Sequence, residues 1–339
     1  MRRRDALTLG LAALATRVLP TCILATPILT TRAAFAQSKF PERPIRLVIP
    51  FSPGGVNDTI GRPWANKMKT LLGTVVVENV GGAGSSLGAA LVAHAPPDGY
   101  TLLQGGAGSH VINPIASQHP LYDPIKDFEP ISILGVTGLA IVVHPALPVR
   151  TLKELIEYHK TNPGKLSFGS AGVGSMTHLT GELFKSLIHA PDIVHVPYKG
   201  GGPLITDLLS GQIQMIAQSV TGQVIELHRT GKLRMLAVTS PARLIAAPDI
   251  PTAVEAGLPG MVSQNFIGLF APAHTPGPIV QQIAQATRTA MADPDFQQAF
   301  IASGFEPYID SSPDKTKRFI EDEIARWTPI IKAIGLKID

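Results

Sequence analysis

Cysteine is almost missing from this 339-residue chain. The single one, Cys22, lies in an apolar stretch near the N-terminus, so the rest of the chain has no disulfide, no thiolate nucleophile and no cysteine metal ligand. Thr21 and Pro20 precede Cys22, where a lipidation site needs small residues. Aromatic residues are few, and no dense Lys/Arg cluster accompanies them, which excludes a nucleic-acid-binding face. No HxxxH or HxH pair and no acidic cluster with calcium-loop spacing occurs, so no metal is expected. A G-x-S-x-G elbow is lacking as well: Phe168 stands where its first glycine belongs, two residues before Ser170. There is no P-loop. Gly82, Gly84 and Gly88 have the spacing G-x-G-x-x-x-G, with no acidic residue at a second strand end, which argues against a nicotinamide cofactor. No catalytic residue and no cofactor is therefore expected.

The first 36 residues read as an export signal. Arg2-Arg3-Arg4 forms a charged start, Leu7–Ala15 and Val18–Leu29 are apolar, and Ala34-Phe35-Ala36 fits cleavage after Ala36, before Gln37. The arginine pair suits a twin-arginine signal, and a Sec signal fits too. Arg17 interrupts the apolar run, which argues against a retained anchor. Beyond this segment no stretch approaches the roughly 20 apolar residues of a spanning helix. The segment carries five arginines against Asp5, which accounts for the whole formal charge of +4, so the remainder is neutral. These features place the mature chain in the periplasm.

What the sequence has in quantity is one repeated junction: an apolar strand, a loop of Gly, Ser and Pro, then a helix. It occurs at Ile45–Ile49 into Ser52-Pro53-Gly54-Gly55, and at Tyr100–Leu103 into Gly105–Ser109. It recurs at Leu166–Phe168 into Ser170–Ser175, and at Ile193–Val196 into Lys199–Gly202. Each junction aims free backbone N–H groups and a positive helix end beyond the strand tips. Several converging on one cleft would hold a small anion. Asn57 and Asp58 are placed to cap the first helix. Ser175 or Thr177 caps the helix after the third loop, and His178 falls in its first turn. Tyr198 and Lys199 stand at a strand tip. Thr151–Glu154 is a capping box opening a helix to about Thr161, and Ser312-Pro313 starts the last helix. Ile131–Val136 and Leu139–His144 read as two strands joined near Gly138. Strand and helix alternate at the spacing of parallel sheets with helices on both faces, and such sheets bind ligands beyond the carboxyl ends of their strands.

Many ordered motifs together resemble one family. Pro44–Gly55, Glu78-Asn79 with Gly82–Gly88, Pro97–Leu103, Asn162–Leu166, Gly169–Leu179, His195–Gly200, Asp207–Gln212, Leu236–Ser240, Glu255–Gly260 and Gly268–Pro272 are similar to the tripartite tricarboxylate transporter receptors, the Bug family. The resemblance spans about residues 40–335. It implies an α/β, two-lobed periplasmic-binding-protein fold of the type II-like, Venus flytrap kind, with parallel-rich sheets flanked by helices. Lobe 1 is then discontinuous, 37–139 plus 265–339, and lobe 2 is 140–264. It implies a monomeric extracytoplasmic receptor that binds a small organic carboxylate and delivers it to the permease subunits of a membrane transporter. The implied contacts are Pro53, Gly54, Gly55, Gly108 and Ser109 in one lobe, with Ser170, Ala171, Gly174, Ser175 and Thr177 in the other. Asn57, Asp58, His178, Tyr198, Lys199 and Gln218 complete the candidate set. Two positions depart from the family pattern: Ala217-Gln218 replaces the usual Phe-Asp, and Phe266-Ile267 replaces Trp-Phe. A neutral Gln218 and few arginines near the loops favour mono- or dicarboxylates over trianions. A periplasmic ligand sensor and a periplasmic hydrolase stand as alternatives; turnover of a carboxylate would identify the hydrolase.

Overall fold

Short β-branched runs and amphipathic helices alternate from Ile45 onward, and in the computed structural model they assemble one ten-stranded sheet system covered by helices. The structure describes residues 40–338 other than 52, 54–56 and 199. The expected export signal, Gly54, Gly55 and Lys199 lie outside the described residues.

The first half begins with β1 (Ile45–Ile49), α1 (Asp58–Leu71), β2 (Val75–Asn79), α2 (Ser86–Ala93) and β3 (Thr101–Gly106). β1 pairs in parallel with β2 and β3. A single wide turn at Gly108–Ile112 runs into the short α3 (Asn113–Ala116). The chain then enters β4 (Phe128–Val143), a continuous strand of 16 residues where the sequence suggested two. Gly138 does not break it; it marks where the strand changes partners.

The second half is a parallel unit hung on the end of β4. Its elements are α4 (Leu152–Thr161), β5 (Ser167–Ser170), α5 (Met176–Leu187), β6 (Val194–Pro197), α6 (Gly201–Leu209), β7 (Met215–Ser219), α7 (Gly222–Arg229) and β8 (Arg234–Val238). β5 lies parallel between β6 and β7, while β7 and β8 run antiparallel to β4. β9 (Gln264–Pro272) then returns to the first half between β3 and β4, antiparallel to both. The register shows the handover: Gly138 of β4 pairs with Gln264 of β9, and the next residue, Leu139, pairs with Ser219 of β7. The chain finishes with α8 (Gly277–Met291), α9 (Pro294–Ala302), the two-residue β10 (Glu306–Pro307) and α10 (Pro313–Ala333). α9 was not expected from the sequence.

Packing follows the apolar periodicity. α8 buries Val280, Ile283, Ala284, Thr287, Ala290 and Met291, a stripe at helical spacing. It meets α1 through Trp64, whose indole N–H donates to Thr287 Oγ1 at 3.2 Å. Buried Ile45, Leu47, Leu102, Ile267 and Leu269 lie under these helices. Ala140, Val142, Ile216 and Val238 form the matching core beneath α6 and α7 with Leu204, Leu208 and Val224. Thr151 and Ser312 cap α4 and α10 as their sequence context predicts. The Glu154 carboxylate accepts from the Arg150 N–H rather than from Thr151, so the capping box is shifted by one residue. Among the described residues no helix is long and apolar enough to cross a membrane.

Candidate functional site

The strand tips of both halves face a cleft of about 360 Å³. From the first half it is lined by Phe51, Asn57, Ala83, Gly84, Gly106, Ala107, Gly108, Ile112 and Asn113. The second half contributes Val173, Gly174, Ser175, Met176, Thr177 and Ser219, and the handover region Asn265 and Phe266. Ile338, beyond α10, completes it. Among these described lining residues there is no Asp, Glu, Lys, Arg or His. Polarity comes from amides, hydroxyls and backbone groups.

The loop between β5 and α5 forms one wall, and its hydroxyls explain its shape. Ser175 caps α5 by accepting from the His178 N–H at 3.2 Å and donates to the Gly172 carbonyl at 2.6 Å. Thr177 Oγ1 accepts the Ala171 N–H at 2.8 Å and lies 2.8 Å from Ser175 Oγ, to which it donates in the arrangement that satisfies every partner. Gly174 has φ +76°, a left-handed conformation that favours glycine. The first turn of α5 leaves the Met176 and Thr177 amides without intrahelical acceptors, and both residues line the cleft.

Behind this loop lies an aromatic support. Ser170 is fully buried, and its Oγ bonds His195 Nε2 at 2.7 Å and the Gly172 carbonyl at 3.2 Å. The His195 and His178 rings stack at 4.1 Å, with Phe168 on the far side of His195 at 4.7 Å. The Gly174 N–H donates to His178 Nδ1 at 3.3 Å. Burial, reinforced by the Lys185 charge, pushes His178 down to about 4. His195 also comes down to about 4, chiefly through burial and then through His178 and Lys185, against a raising contribution from Glu182. Both imidazoles are therefore neutral at pH 7.

His178, Glu182 and His195 present metal-ligating atoms within 4.8 Å of one another. The sequence reading missed this meeting because His195 comes from a different element. Each member already has protein partners. Lys185 Nζ is 3.0 Å from Glu182 Oε1, and the stacked rings direct their nitrogens to Ser170 and Gly174. A ring nitrogen that accepts from the Gly174 amide implies that the proton sits on the nitrogen facing Glu182. The cluster thus braces the loop. Ser170 and His195 form a hydroxyl–imidazole pair, but the hydroxyl is buried and shared among backbone partners, not presented to the cleft.

The remaining expected site residues divide clearly. Asn57, Gly108, Gly174, Ser175 and Thr177 line the cleft. Asn57 does not cap α1 with its side chain. Asp58 is buried and faces inward, with Arg62 Nε at 2.9 Å and the Asn79 amide at 3.2 Å. Ser109 is buried against Gly106 and the His110 ring. Ala171 and His178 stand one layer behind the cleft. Tyr198 bonds Asp207 at 2.9 Å. Gln218 is buried beside Gly201, with its Oε1 unpartnered. Pro53 is exposed. Sequence reasoning passed over Phe51, Ile112, Asn113, Val173, Met176, Ser219, Asn265 and Ile338, and named Phe266 only as a departure from the family pattern. Of these, Val173 and Met176 sit inside the singled-out loop and its helix start, whereas Ile338 carries no local signal.

A family profile described as the tripartite tricarboxylate transporter family receptor matches residues 60–336. The chain belongs to the tripartite tricarboxylate transporter receptor family. Among curated members of that family it is 34% identical to Protein BugT of Bordetella pertussis over 308 residues, covering 90% of this chain and 94% of the relative. The solved MatC from Rhodopseudomonas palustris with bound malate is 32% identical, with a TM-score of 0.74, covering 86% of this chain and 100% of that one. An R. palustris protein solved with adipate is likewise 32% identical, with a TM-score of 0.77 over 88% of this chain and 99% of the other. Tripartite tricarboxylate transporter receptors of this group have the two-lobed α/β architecture of periplasmic binding proteins, and so does this chain.

Proposed function

We propose that the chain is an extracytoplasmic receptor that captures a small organic carboxylate in the cleft described above and hands it to the permease of a tripartite carboxylate transporter. The observation that carries this reading is a cleft whose described lining holds no charged side chain and includes Met176 and Thr177, whose amides in the first turn of α5 have no intrahelical acceptor. An anion is held there by backbone N–H groups, the Ser219 hydroxyl and side-chain amides, with no counter-charge among the described lining residues. One helix terminus contributes about 0.3–2 kcal/mol, so roughly micromolar binding, about 8 kcal/mol, needs several polar contacts together with exclusion of water. Among the described lining residues there is no cation to compensate a trianion, which favours mono- and dicarboxylates. The malate and adipate bound to its relatives are of that class.

The binding residues under this reading are Asn57, Gly108, Gly174, Ser175, Met176 and Thr177, with Ser170, Ala171 and His178 holding the loop. Under this reading the lobe boundaries are 139/140 and 264/265; the change of partners along β4, between Gly138 and Leu139, lies one residue from the first of them. Export through residues 1–36, a monomeric state and the absence of turnover belong to the same reading. Its test is a thermal-shift screen of mono-, di- and tricarboxylates with product analysis of every mixture. A dicarboxylate is expected to raise the melting midpoint with concentration and to be recovered intact. Consumption of any acid, or no shift with the whole panel, would overturn the proposal.

A further inference from the structure

The segment 335–338 follows α10 and brings Ile338 to the cleft, where it is a lining residue. Ile338 makes a parallel β-bridge with Ser117, and its N–H donates to the Ala116 carbonyl at 3.0 Å. Its backbone is thus fixed to the first half. Its side chain reaches the opposite wall: a Cβ placed on Gly174 would lie 2.6 Å from Ile338 Cδ1. A second hollow of about 130 Å³ lies beside the cleft. Ala83, Asn113 and Ile338 line both spaces, and the second also holds Ser117, His119 and Tyr122.

We propose that Ile338 is a specificity-determining residue, an apolar partition that closes the ligand cleft off from this adjoining hollow and so limits the length of the carboxylate it accepts. The inference rests on the carboxylate reading and deepens it. A chain whose far carboxylate would have to pass the partition meets a sec-butyl group in place of a polar partner, and a buried carboxylate against that surface is unfavourable. A ligand ending short of it leaves its methylenes on Ile338, where apolar contact is favourable. If the side chain is removed, the two spaces become continuous and offer Ser117 and His119 to a more distant carboxylate.

The experiment is isothermal titration of the full mature chain with succinate, adipate, suberate and sebacate, repeated on Ile338→Gly and Ile338→Phe. The natural protein is expected to show a cut-off in chain length. Ile338→Gly should move that cut-off to longer acids, with at least a tenfold gain for the first acid excluded by the natural protein, and Ile338→Phe should move it to shorter ones. Because the two variants act in opposite directions, a general loss of folding cannot imitate the result. The same rank order and cut-off in all three proteins would overturn the partition while leaving the carboxylate reading standing. Failure of the natural protein to bind any of the four acids, or any acid in the screen above, would overturn both.

Discussion

Thr177 serves two surfaces at once. Its hydroxyl accepts the Ala171 N–H at 2.8 Å, while its backbone amide, in the first turn of α5, has no intrahelical acceptor and the residue lines the cleft. Replacing it by valine keeps the shape and removes the acceptor, so the Ala171 amide loses its partner, at a cost of about 1–3 kcal/mol. Thr177→Val is therefore expected to weaken carboxylate binding at least tenfold in titration calorimetry while leaving the fold intact by circular dichroism. Gly174→Val is the harsher change. Its Cβ would collide with Ile338, at a φ of +76° that β-branched residues avoid. It should abolish binding and lower the urea-unfolding free energy by about 1–2 kcal/mol. Undiminished binding by both variants would clear this loop of its assigned role.

At the scale of the element, α5 and the strands behind it act as a rigid bracket for the loop. The bracket is held by neutral imidazoles, and that gives it a pH dependence of definite sign. His178 and His195 sit at about 4 in the folded chain, below the 6.5 of an exposed histidine. Between those values the unfolded chain binds more protons than the folded one, so stability falls as the pH is lowered from 6.5 towards 4. Urea melts at pH 7, 6 and 5 should show this decline, and the double substitution His178→Asn with His195→Gln should flatten it relative to the parent. An unchanged slope would show that the pair does not titrate with unfolding. Most of the bracket was legible in the sequence: the glycine-rich loop, the Ser175 cap and the helix start at Met176 all follow from local chemistry. The stacking of His178 on His195 was not, because it joins residues on separate elements whose spacing only the parallel β5–β6 register sets.

For the whole molecule the decisive feature is the continuity of β4. Read locally, Gly138 suggests a junction between two strands, with Gly135 inside the first. In the fold they are strand positions with little room for a side chain: a Cβ on Gly138 would lie 3.0 Å from Ser240 Oγ, and one on Gly135 would lie 3.1 Å from the Glu306 carbonyl. Alternation of strands and helices was enough to indicate α/β layers, but not the antiparallel insertion of β9 between β3 and β4, which depends on long-range pairing. The same holds for Ile338. Nothing in residues 335–338 announces a cleft wall; only the β-bridge to Ser117 puts it there. In the proposed receptor this architecture brings the amides of α5, a described lining without charged side chains and an apolar partition onto one organic anion. A crystal structure of the mature chain grown with the best-binding dicarboxylate tests it most directly. The account requires a carboxylate oxygen within about 3.2 Å of the Met176 or Thr177 backbone nitrogen, with the ligand's carbon chain against Ile338. A ligand bound outside the cleft, or one inside it whose carboxylates are held by charged side chains and not by those amides, would contradict it.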